Sequence, residues 1–367
     1  MYSFGISLLV SLCISLLIVR WAQGTGQAYL LDHELDGVQK MHDTPVPRVG
    51  GVAIFLAALV GAGLIWLRDS WNGAAILWLI TCSLPAFAGG VVEDLTKRVR
   101  PRWRMACMAV SCLLAFWLVS LAIPRTEIVA LDSMLIAWRP LALGLTLFAL
   151  LTITNAVNLI DGFNGLAGVV TTLIFGALAW VAYQVGDSLV LSASLMLAGS
   201  IVGFLYWNYP HGRIFLGDGG AYFLGFMVGA LAISLVQRNP VVSAWFPVLL
   251  LAYPLVEVAF SIYRRKIVRG TASGQPDAAH LHQLIFKRVV GRASGERVND
   301  APALRNALTS PYLWALSLLA IGPAAICYDR TPMLIGLFCV FCVSYVWLYR
   351  RIATLRVPRW LLKLRRR

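Results

Sequence analysis

Asn155, Asn158, Asp161 and Asn164 stand close together between two long apolar runs. The stretch is Asn155-Ala-Val-Asn158-Leu-Ile-Asp161-Gly162-Phe163-Asn164-Gly165-Leu166, and it carries no Lys or Arg. Asn155, Asn158 and Asp161 recur every three residues, which puts them on one helical face if the preceding helix continues. Helix capping accounts for one such residue, not for four. Further along, Phe215-Leu216-Gly217-Asp218-Gly219-Gly220 places an acid among glycines just before another apolar run. Asp218 could serve as the N-cap of that run. Equally, the glycines let backbone approach a phosphate, and the carboxylate suits a hard cation. Mg²⁺ is held by one or two carboxylates completed by substrate phosphates. Asp218 with Asn158 or Asp161 fits that pattern.

Three further segments have chemistry in them. Lys40-Met-His42-Asp43-Thr-Pro45-Val-Pro47-Arg48-Val-Gly50-Gly51 breaks any helix with its prolines and opens the next run on paired glycines. Backbone N–H groups at such a start can meet an anion; an ordinary turn is the plainer alternative. Glu93-Asp94-Leu-Thr-Lys97-Arg98-Val-Arg100-Pro-Arg102 ends a run on two adjacent carboxylates followed by basic residues. The acids suit a proton acceptor or a metal site, and Lys97 with the arginines suits phosphate. Pro276-Asp277-Ala-Ala-His280-Leu-His282-Gln283 has two histidines without the Cys or Glu partners of a zinc site. Next to Arg264, Arg265, Lys266 and Arg269 they suit a phosphate or pyrophosphate.

The elements that must position these groups are set by composition. The 367 residues are 59% apolar and 13% charged, with a mean hydropathy of +0.75. Soluble domains are about 45–50% apolar and about 25% charged, so a soluble enzyme, a disordered chain and a disulfide scaffold are excluded. Runs of helix-spanning length exclude an outer-membrane barrel, whose strands are about 10 residues of strict alternation. The fold class is all-α and polytopic, with about eleven spans: 3–22, 50–67, 73–91, 104–122, 136–156, 165–185, 188–207, 220–236, 241–262, 310–328 and 332–350. Residues 1–350 form one transmembrane domain with a large loop at 263–309, and 351–367 form a basic tail. The run from Ser3 to Val19 lacks a basic flank and a cleavage site, so it reads as a span, not a removed signal.

The formal charge is +14. In a membrane protein this reflects cytoplasmic loops, not nucleic acid. With the N-terminus outside, in the periplasm, only Arg68, Arg125, Arg139, Arg238 and Arg330 fall on that side; the other 26 of the 31 Lys and Arg face the cytoplasm, as does the C-terminus. Every segment singled out above is then cytoplasmic. The basic tail reads as an anchor on anionic membrane lipid. The seven cysteines lie in apolar runs without metal-site spacing and read as small core residues.

Taken together and in order, these segments resemble the polyprenyl-phosphate N-acetylhexosamine-1-phosphate transferase superfamily, glycosyltransferase family 4. NAVNLIDGFNGLAG is similar to its Asn-x-x-Asn-x-x-Asp-Gly-x-Asp/Asn-Gly signature. The resemblance implies Mg²⁺-dependent transfer (Mn²⁺ as a substitute) of a HexNAc-1-phosphate from a UDP-HexNAc to undecaprenyl phosphate, with release of UMP. The setting is the bacterial inner membrane. It implies Asn158 and Asp218 as metal ligands and Asp161 among the catalytic acids. Phe215 would stack on uracil and Asn164 would read its edge, beside Gly162. Glu93-Asp94 stands where the family has Asp-Asp, linked to the lipid phosphate. His42, Arg48, Lys97, His280 and His282 fall to substrate binding. Glu93 in place of the family's first Asp leaves open which of the two acids is the base, and Asn164 with the His-x-His-Gln motif favours the O-antigen or surface-polysaccharide branch over the pentapeptide transferases of peptidoglycan synthesis. The expected sugar is GlcNAc, with N-acetylfucosamine, N-acetylquinovosamine and GalNAc as alternatives. Expected partners are downstream membrane glycosyltransferases, and a homodimer is left open.

Of the rivals, a transporter predicts acids in mid-span. Here only Glu257 is so placed, and it reads as a buried, paired structural residue. The CDP-alcohol phosphotransferases need Ala-Arg after Asp-Gly, whereas Asp161-Gly162 is followed by Phe-Asn-Gly-Leu. A non-catalytic scaffold has no need of acid-and-glycine loops.

Overall fold

The computed structural model describes residues 2–25, 46–268, 279–291 and 302–354. These residues are helical almost throughout, in the order α1 (Tyr2–Thr25), α2 (Gly50–Arg68), α3 (Ser70–Thr96), α4 (Pro101–Leu118), α5 (Val129–Ala137), α6 (Arg139–Ile160), α7 (Leu166–Val185), α8 (Ser188–Asn208), α9 (Gly217–Arg238), α10 (Phe246–Leu250), α11 (Ala252–Tyr263), α12 (Leu281–Ile285), α13 (Pro302–Ala307), α14 (Ser310–Ile326) and α15 (Thr331–Ala353). Wider π turns extend α11 through Arg264–Val268 and α12 through Phe286–Val290.

Among the described residues, nine helical segments are long and apolar enough to cross a membrane. Two further runs expected from sequence take other forms. The run at 104–122 is α4, which opens on charged residues. The run at 241–262 is split at Leu251 into α10 and α11. Pro254 explains the break, because it has no N–H for the Leu250 carbonyl one turn back. Outer helices present apolar side chains such as Leu17, Leu67, Trp78, Phe148 and Leu319 outward, as lipid-facing surfaces do. Of the cysteines, Cys82, Cys112 and Cys327 are buried as expected, whereas Cys13 and Cys339 are exposed, a correction to the core reading.

The centre of the bundle is α9, buried along nearly its whole length and packed by α2, α3, α6, α7 and α8. Missing side chains make this possible. A Cβ on Gly51 of α2 would overlap the Gly220 backbone, one on Gly90 of α3 would overlap Gly219, and one on Gly225 would come within 2.7 Å of the Thr154 Cα of α6. Small residues let backbones approach this closely in membranes. Asp218 therefore enters the bundle at a point where three helices converge.

Candidate active site

The first turn of α9 is held from two sides. Gly50 and Gly51 donate their N–H groups to the carbonyls of Phe215 (2.9 Å) and Leu216 (2.8 Å), and Phe215 N–H donates to Pro47 (2.9 Å). The Pro47-Arg48 segment thus lies alongside the Phe215 loop. Gly217 has φ +77°, and a side chain there would strike the Arg48 carbonyl and the Asp94 carboxylate. On the other side, Asp94 accepts the N–H of Asp218 at 2.8 Å and of Gly219 at 2.9 Å, one on each carboxylate oxygen. Asp94 is buried and serves α9 as a cap supplied from another helix.

Asp218 joins three side chains. Its Oδ1 accepts Asn158 Nδ2 at 3.1 Å, and its Oδ2 accepts Arg104 Nη1 at 2.6 Å and Tyr222 O–H at 3.4 Å. Asn158 comes from the last turn of α6. Asn155, three residues earlier, turns away: its amide donates to Leu151 O at 2.8 Å and approaches the sulfurs of Met105 and Met108. The one-face reading fails for Asp161, because α6 ends at Ile160 and Asp161 is already non-helical.

The loop from Asp161 to Gly165 is fixed by carboxamides from distant elements. Asn306 accepts the Asn164 N–H at 2.8 Å, and Asn208 accepts the Gly165 N–H at 2.7 Å. Asn208 also donates to Ile214 O at 2.7 Å, which ties this loop to the one before α9. Asn164 donates its amide to Pro210 O at 3.1 Å, and Ser310 donates to the Asn164 carbonyl at 2.6 Å. No Lys or Arg comes from the loop itself; the nearest guanidinium on the cavity wall is Arg48.

These elements enclose a cavity of about 330 Å³. Arg48, Asn158, Asp161, Gly162, Asn164, Phe215, Asp218, His280 and His282 line it, together with Asn208, Gln283 and Asn306. Burial pushes the Asp161 carboxyl up to about 7; the Arg48 guanidinium opposes the rise and the Asp218 carboxylate adds to it. Burial pushes the His282 imidazole down to about 4. His282 stacks on His280 (ring centroids 5.3 Å apart) and meets Phe163 edge-on. Its Nε2 is the nitrogen nearest Gly162, while its buried Nδ1 has no partner among the described residues.

Three expected residues lie off this wall. Glu93 accepts the Val99 N–H at 2.8 Å and closes the turn after α3. Lys97 is the left-handed cap of α3, exposed and outside the cavity. Asp94 acts on the α9 backbone instead of facing the cavity. His42 lies outside the described residues. Arg104, Asn208 and Asn306 are cavity or Asp218 partners with no place among the residues singled out from sequence, and Gln283 enters there only as the last residue of the His-x-His-Gln motif. Arg104 lies two residues past the basic run that follows Glu93-Asp94; Asn208 and Asn306 carry no local signal.

The donor set suits a hard divalent cation. Two carboxylates, Asp161 and Asp218, and the Asn158 amide border one cavity, with Asp218 already serving Arg104 as an anion. Among the described residues no three His, Cys, Asp or Glu cluster together.

Comparison with known proteins agrees with this geometry. Residues 76–236, from α3 through α9, match the model of glycosyl transferase family 4. The chain is 31% identical to the probable undecaprenyl-phosphate N-acetylglucosaminyl 1-phosphate transferase of Bacillus subtilis, over 77% of this chain and 76% of that one. It is 28% identical to the undecaprenyl-phosphate alpha-N-acetylglucosaminyl 1-phosphate transferase of Thermotoga maritima, over 69% and 72%. It is also 33% identical to the phospho-N-acetylmuramoyl-pentapeptide-transferase of Gluconacetobacter diazotrophicus, over 63% and 71%. With that identity and coverage, on an all-helical membrane fold, the chain belongs to glycosyl transferase family 4.

Proposed function

We propose that this chain transfers a HexNAc-1-phosphate from a UDP-HexNAc to undecaprenyl phosphate at the cytoplasmic face of a bacterial inner membrane. The product is a polyprenyl-diphosphate-sugar of O-antigen or another surface polysaccharide. The observation that carries this reading is the Asp218–Asn158 pair at the mouth of α9. It stands in a cavity that also presents one guanidinium, two phenylalanine rings and two imidazoles.

The chemistry follows from charge. Both substrates are anions, and their approach is repulsive until cations offset it. An oxygen of the lipid phosphate attacks the phosphorus that bears the sugar. The bond from that phosphorus to the bridging oxygen breaks, and UMP leaves with the electron pair. A phosphate monoester has its second pKa near 6, so the nucleophile is already largely dianionic and needs little help from a base. Mg²⁺ held by Asp218 and Asn158 would neutralise charge on the pyrophosphate. Arg48 and Arg104 offset the rest, and His280 contacts a phosphate oxygen. Phe215 offers its ring to the uracil. Asn164 has its amide N–H committed to Pro210, which leaves its Oδ1 as an acceptor for the base edge. Asn306 and Gln283, from the large cytoplasmic segment, stand where the sugar substituents would be read.

The similarity to the Gluconacetobacter pentapeptide transferase keeps a second donor, UDP-MurNAc-pentapeptide, in the test. Purified protein is given undecaprenyl phosphate, Mg²⁺ and a panel of UDP-HexNAc donors with that compound included, and UMP is measured. Lipid-dependent UMP that disappears with EDTA and in Asp218→Ala supports the reading and names the sugar. UMP only from the pentapeptide donor moves the chain to the other branch. Undiminished release by Asp218→Ala sinks the metal site.

A further inference from the structure

Glu257 is a buried acid that neither the cavity wall nor the proposed reaction uses. It sits in α11 and is 2% exposed. A buried carboxylate is costly unless it is paired and fully hydrogen-bonded, and this one is. Its Oε1 faces His280 Nδ1 at 3.0 Å and accepts the Leu281 N–H at 3.1 Å. Its Oε2 accepts the Tyr345 O–H from α15 at 2.8 Å. The residue before the histidine is pinned as well, since the Ala279 carbonyl accepts Tyr349 O–H at 2.9 Å and the Arg264 guanidinium. His280 is 3% exposed, yet lines the cavity.

The hydrogen bond that one imidazole nitrogen makes decides what the other can offer. A carboxylate on Nδ1 keeps a proton there. Nε2 is then the nitrogen left for a ligand in the cavity. The stacked His282 ring limits swinging of His280. We propose that Glu257 is a positioning residue: together with Tyr345 it holds the His280 ring and its Nδ1–H form, so that Nε2 meets an anionic oxygen of the donor substrate. This deepens the proposed function, on which it rests, and adds a control arm running from α15 through α11 to the cavity.

The test uses the full-length chain in nanodiscs, with Glu257→Gln, Tyr345→Phe, His280→Asn and the double variant Glu257→Gln/His280→Asn. Thermal unfolding first identifies the variants that fold. Glu257→Gln is expected to lower kcat by about 10- to 100-fold, the scale seen when a carboxylate orienting a functional histidine is removed. The double variant should be no slower than His280→Asn. Tyr345→Phe, which removes one hydroxyl, should fall between wild type and Glu257→Gln and covers the case in which Glu257→Gln does not fold. Wild-type kcat in Tyr345→Phe and Glu257→Gln, or losses that multiply in the double variant, overturn the proposal. A second readout needs no turnover: ¹⁵N-histidine NMR, assigned with His280→Asn, should show a hydrogen-bonded Nδ1–H that is lost in Glu257→Gln. A wild-type chain inactive with every donor defeats the proposed function. An Nδ1–H resonance unchanged in Glu257→Gln defeats the positioning role whether or not a donor is found.

Discussion

Asp94 and Asp218 meet through backbone, not through their carboxylates. Both oxygens of Asp94 accept the N–H groups that open α9, and the side chain of Asp218 points on from that turn toward Asn158 and Arg104. The adjacent acids Glu93 and Asp94 are therefore divided in task, one closing a turn and the other capping a helix.

A cap and a base respond differently to amide substitution. Asp94→Asn keeps an acceptor oxygen, so it should retain part of the activity and most of the stability. Asp94→Ala should lose about 1–2 kcal/mol of stability, the scale of a lost N-cap, and nearly all activity as Asp218 shifts. Thermal unfolding beside kcat checks this. Equal inactivity of the two variants, with stability unchanged, would instead make Asp94 the proton acceptor.

Arg104 is bonded to Asp218 at 2.6 Å in a half-buried setting. A hydrogen bond to a charged group is worth about 1.5–3 kcal/mol, so Arg104→Ala should lower kcat/KM by about 10- to 100-fold. Arg104→Lys keeps the charge without the planar fork and should lose less. Steady-state kinetics on both variants decides it, and wild-type kcat/KM in Arg104→Ala would remove Arg104 from the site.

The glycine contacts allow a controlled pair of substitutions within one helix. Gly51→Ala presses a methyl into the Gly220 backbone, whereas Gly63→Ala, also in α2, meets nothing within 4 Å. Overpacking costs about 1–3 kcal/mol. Gly51→Ala should lower both Tm and activity, and Gly63→Ala should leave both unchanged.

His282 gives a pH dependence of stability. Its pKa is held down to about 4 in the folded chain and returns to about 6.5 on unfolding. Between those values the unfolded chain takes up a proton that the native one refuses, so stability falls as pH drops from about 6.5 toward about 4 and levels off below. The slope approaches about 1.4 kcal/mol per pH unit. Thermal unfolding at pH 7 and pH 5 should show a smaller drop in His282→Gln than in wild type.

Orientation can be read from fusions. The charge bias predicts a cytoplasmic C-terminus. A C-terminal green fluorescent protein should fluoresce, and alkaline phosphatase fused at the same point should be inactive. The reverse pattern would invert every loop assignment.

Much of the site was legible because it is built from short motifs. Asn158, Asp161, Gly162, Asn164, Phe215 and Asp218 line one cavity, and each sits in a loop or helix end where apolar periodicity fails. What the sequence hid was pairing over distance. Asn306 bonds Asn164 across 142 positions and Arg104 reaches Asp218 across 114; nothing local to either residue announces its partner. The spans were legible from length and hydropathy, but the break at Leu251 was not, because Pro247 and Pro254 lie inside an otherwise continuous apolar run.

Sealing α9 inside the bundle separates Asp218 from the mechanics of the bilayer. A helix that touches lipid must tilt or bend when the hydrocarbon thickness changes, whereas α9 meets only protein. Thickening or thinning of the membrane is therefore absorbed by the outer helices. Asp218 rides on the sealed helix, while Asn158 comes from α6, whose Phe148 faces outward; their spacing therefore rests on the close α6–α9 packing at Gly225 and Thr154.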